Sequence, residues 1–360
     1  MKVLFITPGV HPYSIGGIET HVRNLAEALQ PEKVSAYALS QNTVFEFGHE
    51  TTKSKISYFN RVKAIVSDEY DVVHLHGFVS HDVLNLWLLE NEIIPLLANL
   101  QGTKVVFTPH GGVDGVLKKS WDSYIFSAYL KFLQKVLFPL VDSFIAIYPN
   151  QVRTFKQSGI PKEKIEFIPN GVSQGDKKSS KTDTPTIVYL GSLKPHKRVS
   201  DLVAAISRLS VDANVIIAGA DKGTLSKIQS EAAEMGIAEN LEYKGMVDDE
   251  TKWEIYNEAD LFVNPSEYEA FGLSAAEAMS VGTPVICAEN PGSKYLLKGG
   301  ESGILYQPGD IESLAESIDI VLSDSQRSQE LSTKAEERAN DFDWKEIAQL
   351  MSEVYYSLSS

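Results

Sequence analysis

Asn264-Pro265-Ser266-Glu267-Tyr268-Glu269-Ala270-Phe271-Gly272-Leu273-Ser274-Ala275-Ala276-Glu277-Ala278-Met279 is the stretch whose reading decides the fold. It leaves a short apolar run, Leu261 to Asn264, crosses a polar turn and enters a helical pattern, Leu273 to Ser280. Strand, loop and helix in that order make half of a βαβ unit, the building block of a parallel sheet. The first N–H groups of a helix have no intrahelical partner, so they form a site for an anion such as a diphosphate. Gly272 lets the backbone approach that anion closely. Glu277 falls within the first turns, where its carboxylate can accept hydrogen bonds from ribose hydroxyls. Two acids, Glu269 and Glu277, beside one phosphate site call for a hydroxyl-rich ligand between them, and a nucleotide sugar meets that requirement.

Working outward, the same alternation continues on both sides. Downstream lies the strand Pro284 to Ala288; upstream lie strands Thr186 to Leu190, Asn214 to Ala218 and Leu241 to Lys244. Helices are predicted between them, near Ser200 to Leu209, Leu225 to Met235 and Lys252 to Asn257. The polar stretch Gln174 to Thr184 reads as a linker. Before it a second alternating set runs from Lys2 to Thr7 through a Gly- and Pro-rich loop (Pro8, Gly9, Pro12, Gly16, Gly17) to a helix, Glu19 to Leu29. Strands at Val34 to Leu39, Val72 to Leu75, Lys104 to Thr108 and Ser143 to Ile147 complete it. The chain is therefore read as α/β, with two parallel sheets covered on both faces and ligands at the carboxyl ends of the strands.

Composition narrows the function. A chain of 360 residues, 43% hydrophobic and 22% charged, is ordinary globular material and long enough for two cores. The net charge of −15 opposes non-specific binding to nucleic acid, which needs basic surface. Residues 1–170 carry 16 basic and 16 acidic side chains, whereas the remainder carries 17 and 32. All surplus acidity thus lies in the second half. No apolar run reaches the ~18 residues of a membrane span, and the start is too short for a signal peptide, so a cytoplasmic location is expected. Cys287, the single cysteine, sits in an apolar run and is read as core.

From Glu269 to Glu277, with Phe271-Gly272 between and Gly282-Thr283-Pro284-Val285 after, the sequence resembles the Glu-x7-Glu motif of glycosyltransferase family 4. Gly16-Gly17-Ile18-Glu19 resembles the family's N-terminal glycine loop, and Thr108-Pro109-His110-Gly111 its catalytic-histidine segment. Ile168-Pro169-Asn170-Gly171-Val172 resembles the domain junction, and Phe342-Asp343-Trp344 with the helix after it the family's ending. Each match is modest, but together and in order they span nearly the whole chain.

The resemblance implies a retaining glycosyltransferase of GT-B fold, two Rossmann-like doubly wound domains facing across a cleft. Residues 1–170 with a last helix at about 343–360 would form the acceptor-side domain, and 171–342 the donor-binding domain. It implies donor contacts through Gly16, Gly17, Ser192, Lys197, Met246, Val247, Phe271, Gly272 and Leu273, with Glu277 on the ribose and Glu269 on the sugar hydroxyls. His110 would touch the transferred sugar, while Glu19, His76 and Gly111 would line the acceptor side. No cofactor or metal is implied. The donor would be a UDP- or GDP-sugar and the acceptor a carbohydrate or lipid-linked hydroxyl, as in polysaccharide or glycolipid biosynthesis.

Three local readings stand beside that resemblance. The loop Gly191 to Arg198 is basic and follows a strand, so Lys197 is placed to stabilise the leaving diphosphate. Ser192 stands where the family usually has an arginine, leaving Lys194 or Arg198 as substitutes, or a weaker enzyme. His74 and His76 flank Leu75 and share one face; with no third metal ligand evident they are read as cleft-lining or structural rather than as metal ligands. The segment Val116 to Phe138 mixes lysines with aromatics, which suits a peripheral membrane contact and equally suits domain packing. Alternatives to transfer are a catalytically weak nucleotide-sugar binding protein, or another GT-B enzyme such as a sugar-nucleotide epimerase or a phosphorylase.

Overall fold

Two β-sheets organise the computed structural model, which describes residues 1–10, 16–29, 33–38, 43–47, 52–55, 70–77, 97–110, 135, 138–177 and 184–359. The chain divides into two compact units, Met1–Gly171 with Trp344–Ser360, and Val172–Asp343.

The first unit holds strands β1 (Lys2–Thr7), β2 (Lys33–Ala38), β3 (Thr43–Phe47), β4 (Thr52–Lys55), β5 (Val72–His76), β6 (Lys104–Thr108), β7 (Ser143–Ala146) and β8 (Ile165–Phe167), in the order β4-β3-β2-β1-β5-β6-β7-β8. Val3 to Thr7 are all buried, because a central parallel strand is covered on both faces and reads as an unbroken apolar run. Val3 registers with Val34 on one side and Val72 on the other. One expectation fails here. The sheet is not wholly parallel: β3 and β4 run antiparallel as an edge extension, with Ala36 opposite Phe45. Along β3, Phe45 and Phe47 are buried while Glu46 is exposed, the alternation of a strand covered on one face.

Helix α1 (Gly17–Ala28) buries His21, Val22, Leu25 and Ala26 on one face. It starts two residues before the expected Glu19, so Gly17 belongs to the helix and not to the loop. Helix α2 (Pro149–Gln157) follows β7.

In the second unit β9 (Thr186–Leu190), β10 (Asn214–Ala218), β11 (Leu241–Gly245), β12 (Leu261–Asn264), β13 (Val285–Ala288) and β14 (Ile304–Tyr306) pair in parallel in the order β11-β10-β9-β12-β13-β14. Ile187 registers with Val215 and Leu261, which puts β9 at the centre. The helices are α3 (Val199–Ile206), α4 (Leu225–Glu234), α5 (Asp249–Glu258), α6 (Leu273–Ser280), α7 (Pro291–Leu296), α8 (Ile311–Ser323) and α9 (Ser325–Asn340). Cys287 is buried on β13, and burial pushes its thiol up from the ordinary cysteine value.

Helix α10 (Trp344–Ser359) belongs to the first unit. Its Ile347, Met351, Val354 and Tyr355 pack in one cluster with Val3, Phe5, Val22 and Leu25. Each such side chain stabilises the unit by about 1.5–3 kcal/mol if fully buried. Among the described residues no helix is long and apolar enough to cross a membrane. The lysine- and aromatic-rich segment 116–138 lies outside the described residues, except for Lys135 and Phe138.

Both sheets reverse direction of growth once, between β1 and β5 in the first and between β9 and β12 in the second. Ligands of open α/β sheets gather at such switch points, beyond the strands' carboxyl ends.

Candidate functional site

At the switch point of the second unit, β12 ends at Asn264 and the loop 265–272 leads to α6. Gly272 starts that helix at φ +90°, the left-handed region that favours glycine. No side chain caps α6, whereas Asp248 caps α5 and Asn290 caps α7. The first N–H groups of α6 therefore have no side-chain acceptor among the described residues. The loop is held from three sides. Glu267 donates its N–H to the His196 carbonyl at 3.0 Å, Asn290 Nδ2 donates to the Ser266 carbonyl at 3.1 Å, and a Cβ at Gly292 would stand 2.5 Å from the Glu269 carbonyl oxygen.

Lys197, from the loop after β9, donates to Glu269 Oε1, and both side chains are largely shielded from solvent. Asn264 Nδ2 lies 3.5 Å from the same oxygen. The two residues assigned to the reacting sugar and the leaving phosphate are thus brought together.

Glu277 makes a different pair. It is 6% exposed; Oε1 accepts from Lys252 Nζ at 3.1 Å and Oε2 from the Tyr256 hydroxyl at 3.0 Å. Burial alone would lower the Lys252 pKa, but Glu277 and then Asp249 outweigh it and hold the ammonium above its ordinary value. Burial, then the Glu277 charge, pushes Tyr256 well up, so its O–H remains a donor. Lys252 and Tyr256 lie one turn apart on α5, and sequence reading missed both. Their i, i+4 spacing offers the only hint, and it does not name the partner.

The rest of the donor set is distributed. Phe271 is buried, Leu273 half-buried, Met246 57% exposed and Val247 half-buried. The Ser192 carbonyl accepts from Tyr189 Oη at 3.1 Å. Of the two cations considered as stand-ins near Ser192, Arg198 is committed to Asp201 at 2.7 Å, and Lys194 is exposed.

The switch point of the first unit is built from imidazoles. His76 ends β5, His110 follows β6, and His21 projects from the buried face of α1. His76 Nδ1 and His110 Nε2 lie 3.1 Å apart. His74 is held at both ring nitrogens, by Tyr355 Oη at 2.6 Å and Thr108 Oγ1 at 2.8 Å. His110 adopts φ +49°, a left-handed conformation that costs a non-glycine residue about 1–3 kcal/mol. Burial is the leading cause that lowers all four rings: His21 falls to about 3, and the others lie well below their ordinary value. The cluster is uncharged at neutral pH.

The sequence alone shows no third imidazole for His74 and His76. The structure supplies two for His76, because His21 and His110 come from elements that only the tertiary fold joins. A histidine on the apolar face of α1 was the available signal. Gly16 and Glu19 flank the same end of the sheet: a Cβ at Gly16 would meet the Glu19 carboxylate at 2.4 Å. Gly111 lies outside the described residues.

Residues 15–174 match the family model of Glycosyltransferase Family 4, and residues 173–338 match that of Glycosyl transferases group 1. The chain is 25% identical to a phosphatidyl-myo-inositol mannosyltransferase of Mycobacterium leprae, over 97% of this chain and 96% of that protein. It is 26% identical to a glycogen synthase of Mycobacterium tuberculosis, over 97% of this chain and 83% of that protein. Among solved structures, Anabaena HepE in complex with UDP-glucose aligns with a TM-score of 0.76 at 20% identity, covering 99% of this chain and 100% of that one. Sucrose-phosphate synthase from Thermosynechococcus elongatus aligns with a TM-score of 0.73 at 22% identity, covering 99% and 98%. Likeness at these identities establishes the fold, which is GT-B.

Proposed function

The chain belongs to glycosyltransferase family 4, and from that premise we propose that it transfers a sugar, with retention, from a nucleotide diphosphate donor to a hydroxyl acceptor. The observation that carries this reading is the contact of Lys197 with Glu269 beside the uncapped start of α6. An ammonium and free helix N–H groups suit a diphosphate, and a carboxylate next to them suits sugar hydroxyls. In this reading the second unit binds the donor and the first receives the acceptor. UDP-glucose on HepE favours a uridine donor, while a GDP-sugar is the competing choice.

Glu277 would accept from the ribose hydroxyls, since each carboxylate oxygen retains acceptor capacity beyond its bond to Lys252 or Tyr256. The bond from the anomeric carbon to the phosphate oxygen breaks, its electron pair leaves with the diphosphate, and Lys197 with the α6 N–H groups stabilises that charge. The acceptor oxygen attacks from the same face, and its proton passes to the departing phosphate oxygen. His110, as a neutral imidazole, hydrogen-bonds a sugar hydroxyl without adding charge. No step calls for a metal ion, and the reading includes a cytoplasmic enzyme acting on a carbohydrate or lipid-linked acceptor.

Nucleoside diphosphate release from UDP- and GDP-sugars in excess chelator tests the proposal. Turnover with one donor class, and a product whose anomeric configuration matches the donor, are expected. A sugar trapped covalently on Glu269 contradicts the same-face attack. A second reading, nucleotide-sugar binding with little turnover, draws on Ser192 and on the commitment of Arg198 to Asp201. Tight donor binding without product would favour it.

A further inference from the structure

We propose that His21, His76 and His110 bind a single divalent transition-metal ion of the zinc class. One ring nitrogen from each residue lies within 4.8 Å of the other two. Both nitrogens of His21 and Nε2 of His76 are buried without a hydrogen-bond partner among the described residues. An unpaired buried polar atom costs about 1–3 kcal/mol, and an ion on His21 would relieve one of these. A neutral imidazole presents one lone pair, and three converging lone pairs suit a metal ion better than a hydrogen-bond acceptor.

The geometry is close to what such an ion needs. Zinc–nitrogen bonds of about 2.0–2.1 Å put tetrahedral ligand nitrogens about 3.3 Å apart. Closing the remaining gap requires the rings to move, at the expense of the bond between His76 and His110. His74 stays outside the set, since Tyr355 and Thr108 use both its nitrogens. His110 is half-buried, and three protein ligands leave a fourth coordination position for solvent or ligand. Imidazole selects zinc, copper, nickel or iron over magnesium or calcium.

Metal binding does not rest on the function proposed above. Its consequence does: a metal on His110 removes the ring from the sugar, so occupancy should inhibit transfer.

The full chain, stripped with chelator, is titrated with Co2+. One ion per chain with the visible absorption of imidazole-bound tetrahedral cobalt is expected. His21→Asn and His76→Asn should each weaken it at least tenfold, while His196→Asn should not. Uptake no stronger than in the His21→Asn/His76→Asn double variant overturns the site. If a variant misfolds, X-ray absorption of the zinc-loaded wild type decides: three imidazole scatterers support the site, and fewer than three refute it. Saturating Zn2+ should reduce turnover at least tenfold, reversed by chelator. Undiminished turnover with metal bound would refute the role of His110 and leave the binding result standing.

Discussion

The two units place their candidate residues at the switch points of their sheets and furnish them with opposite chemistry. In the second unit the charged candidate side chains form two ion pairs, Lys197 with Glu269 and Lys252 with Glu277. In the first unit four imidazoles share a buried site, and burial keeps them neutral. Topology fixes where ligands go, and side-chain chemistry fixes which ones. A paired, charged site can exchange its internal ion pair for a diphosphate; a neutral one suits hydroxyl groups.

The largest effect should come from acid. In the unfolded chain each ring takes its proton near pH 6.5, whereas in the folded first unit each resists it, His21 down to about 3. The unfolded state therefore binds more protons as pH falls below 6.5, and stability falls with it. Each ring that stays neutral costs about 1.4 kcal/mol per pH unit. Hydrogen exchange from pH 7 to pH 5 should show the first unit loosening before the second, whose sole histidine, His196, is exposed. Equal loosening would break the contrast.

Next in size, Lys197→Ala should lower kcat/KM by about 10²- to 10³-fold, the usual effect of losing a fixed charge at a developing anion. Nucleoside diphosphate release reads it. Glu277→Gln should follow, with a donor KM raised about tenfold, as a charged hydrogen-bond partner becomes neutral. A fall confined to kcat would move Glu277 from ribose binding to the chemical step. Smallest is Tyr355→Phe, which removes the bond to His74 and should cost about 1 kcal/mol in thermal unfolding without changing donor KM.

What sequence could reveal follows the same physics. β12 and α6 begin and end where the residues predict, because a buried parallel strand is an unbroken apolar run and Gly272 marks the helix start. The antiparallel β3 and β4 were missed, since a short strand covered on one face alternates too briefly to stand out. Glu269, Glu277 and Lys197 were legible as chemistry. The partners of Glu277 and of His74 were not: Lys252 and Tyr256 reach Glu277 across 25 and 21 residues, and Tyr355 reaches His74 across 281. Such contacts exist only once helices have packed, and no local pattern encodes them.

Calorimetric titration of UDP and uridine into the wild type, Lys197→Ala and His76→Gln tests most directly whether the start of α6, with Lys197, grips the diphosphate. UDP should bind far more tightly than uridine, lose at least tenfold in affinity with Lys197→Ala, and bind His76→Gln unchanged. Equal affinity for UDP and uridine, or UDP binding indifferent to Lys197, would contradict the account.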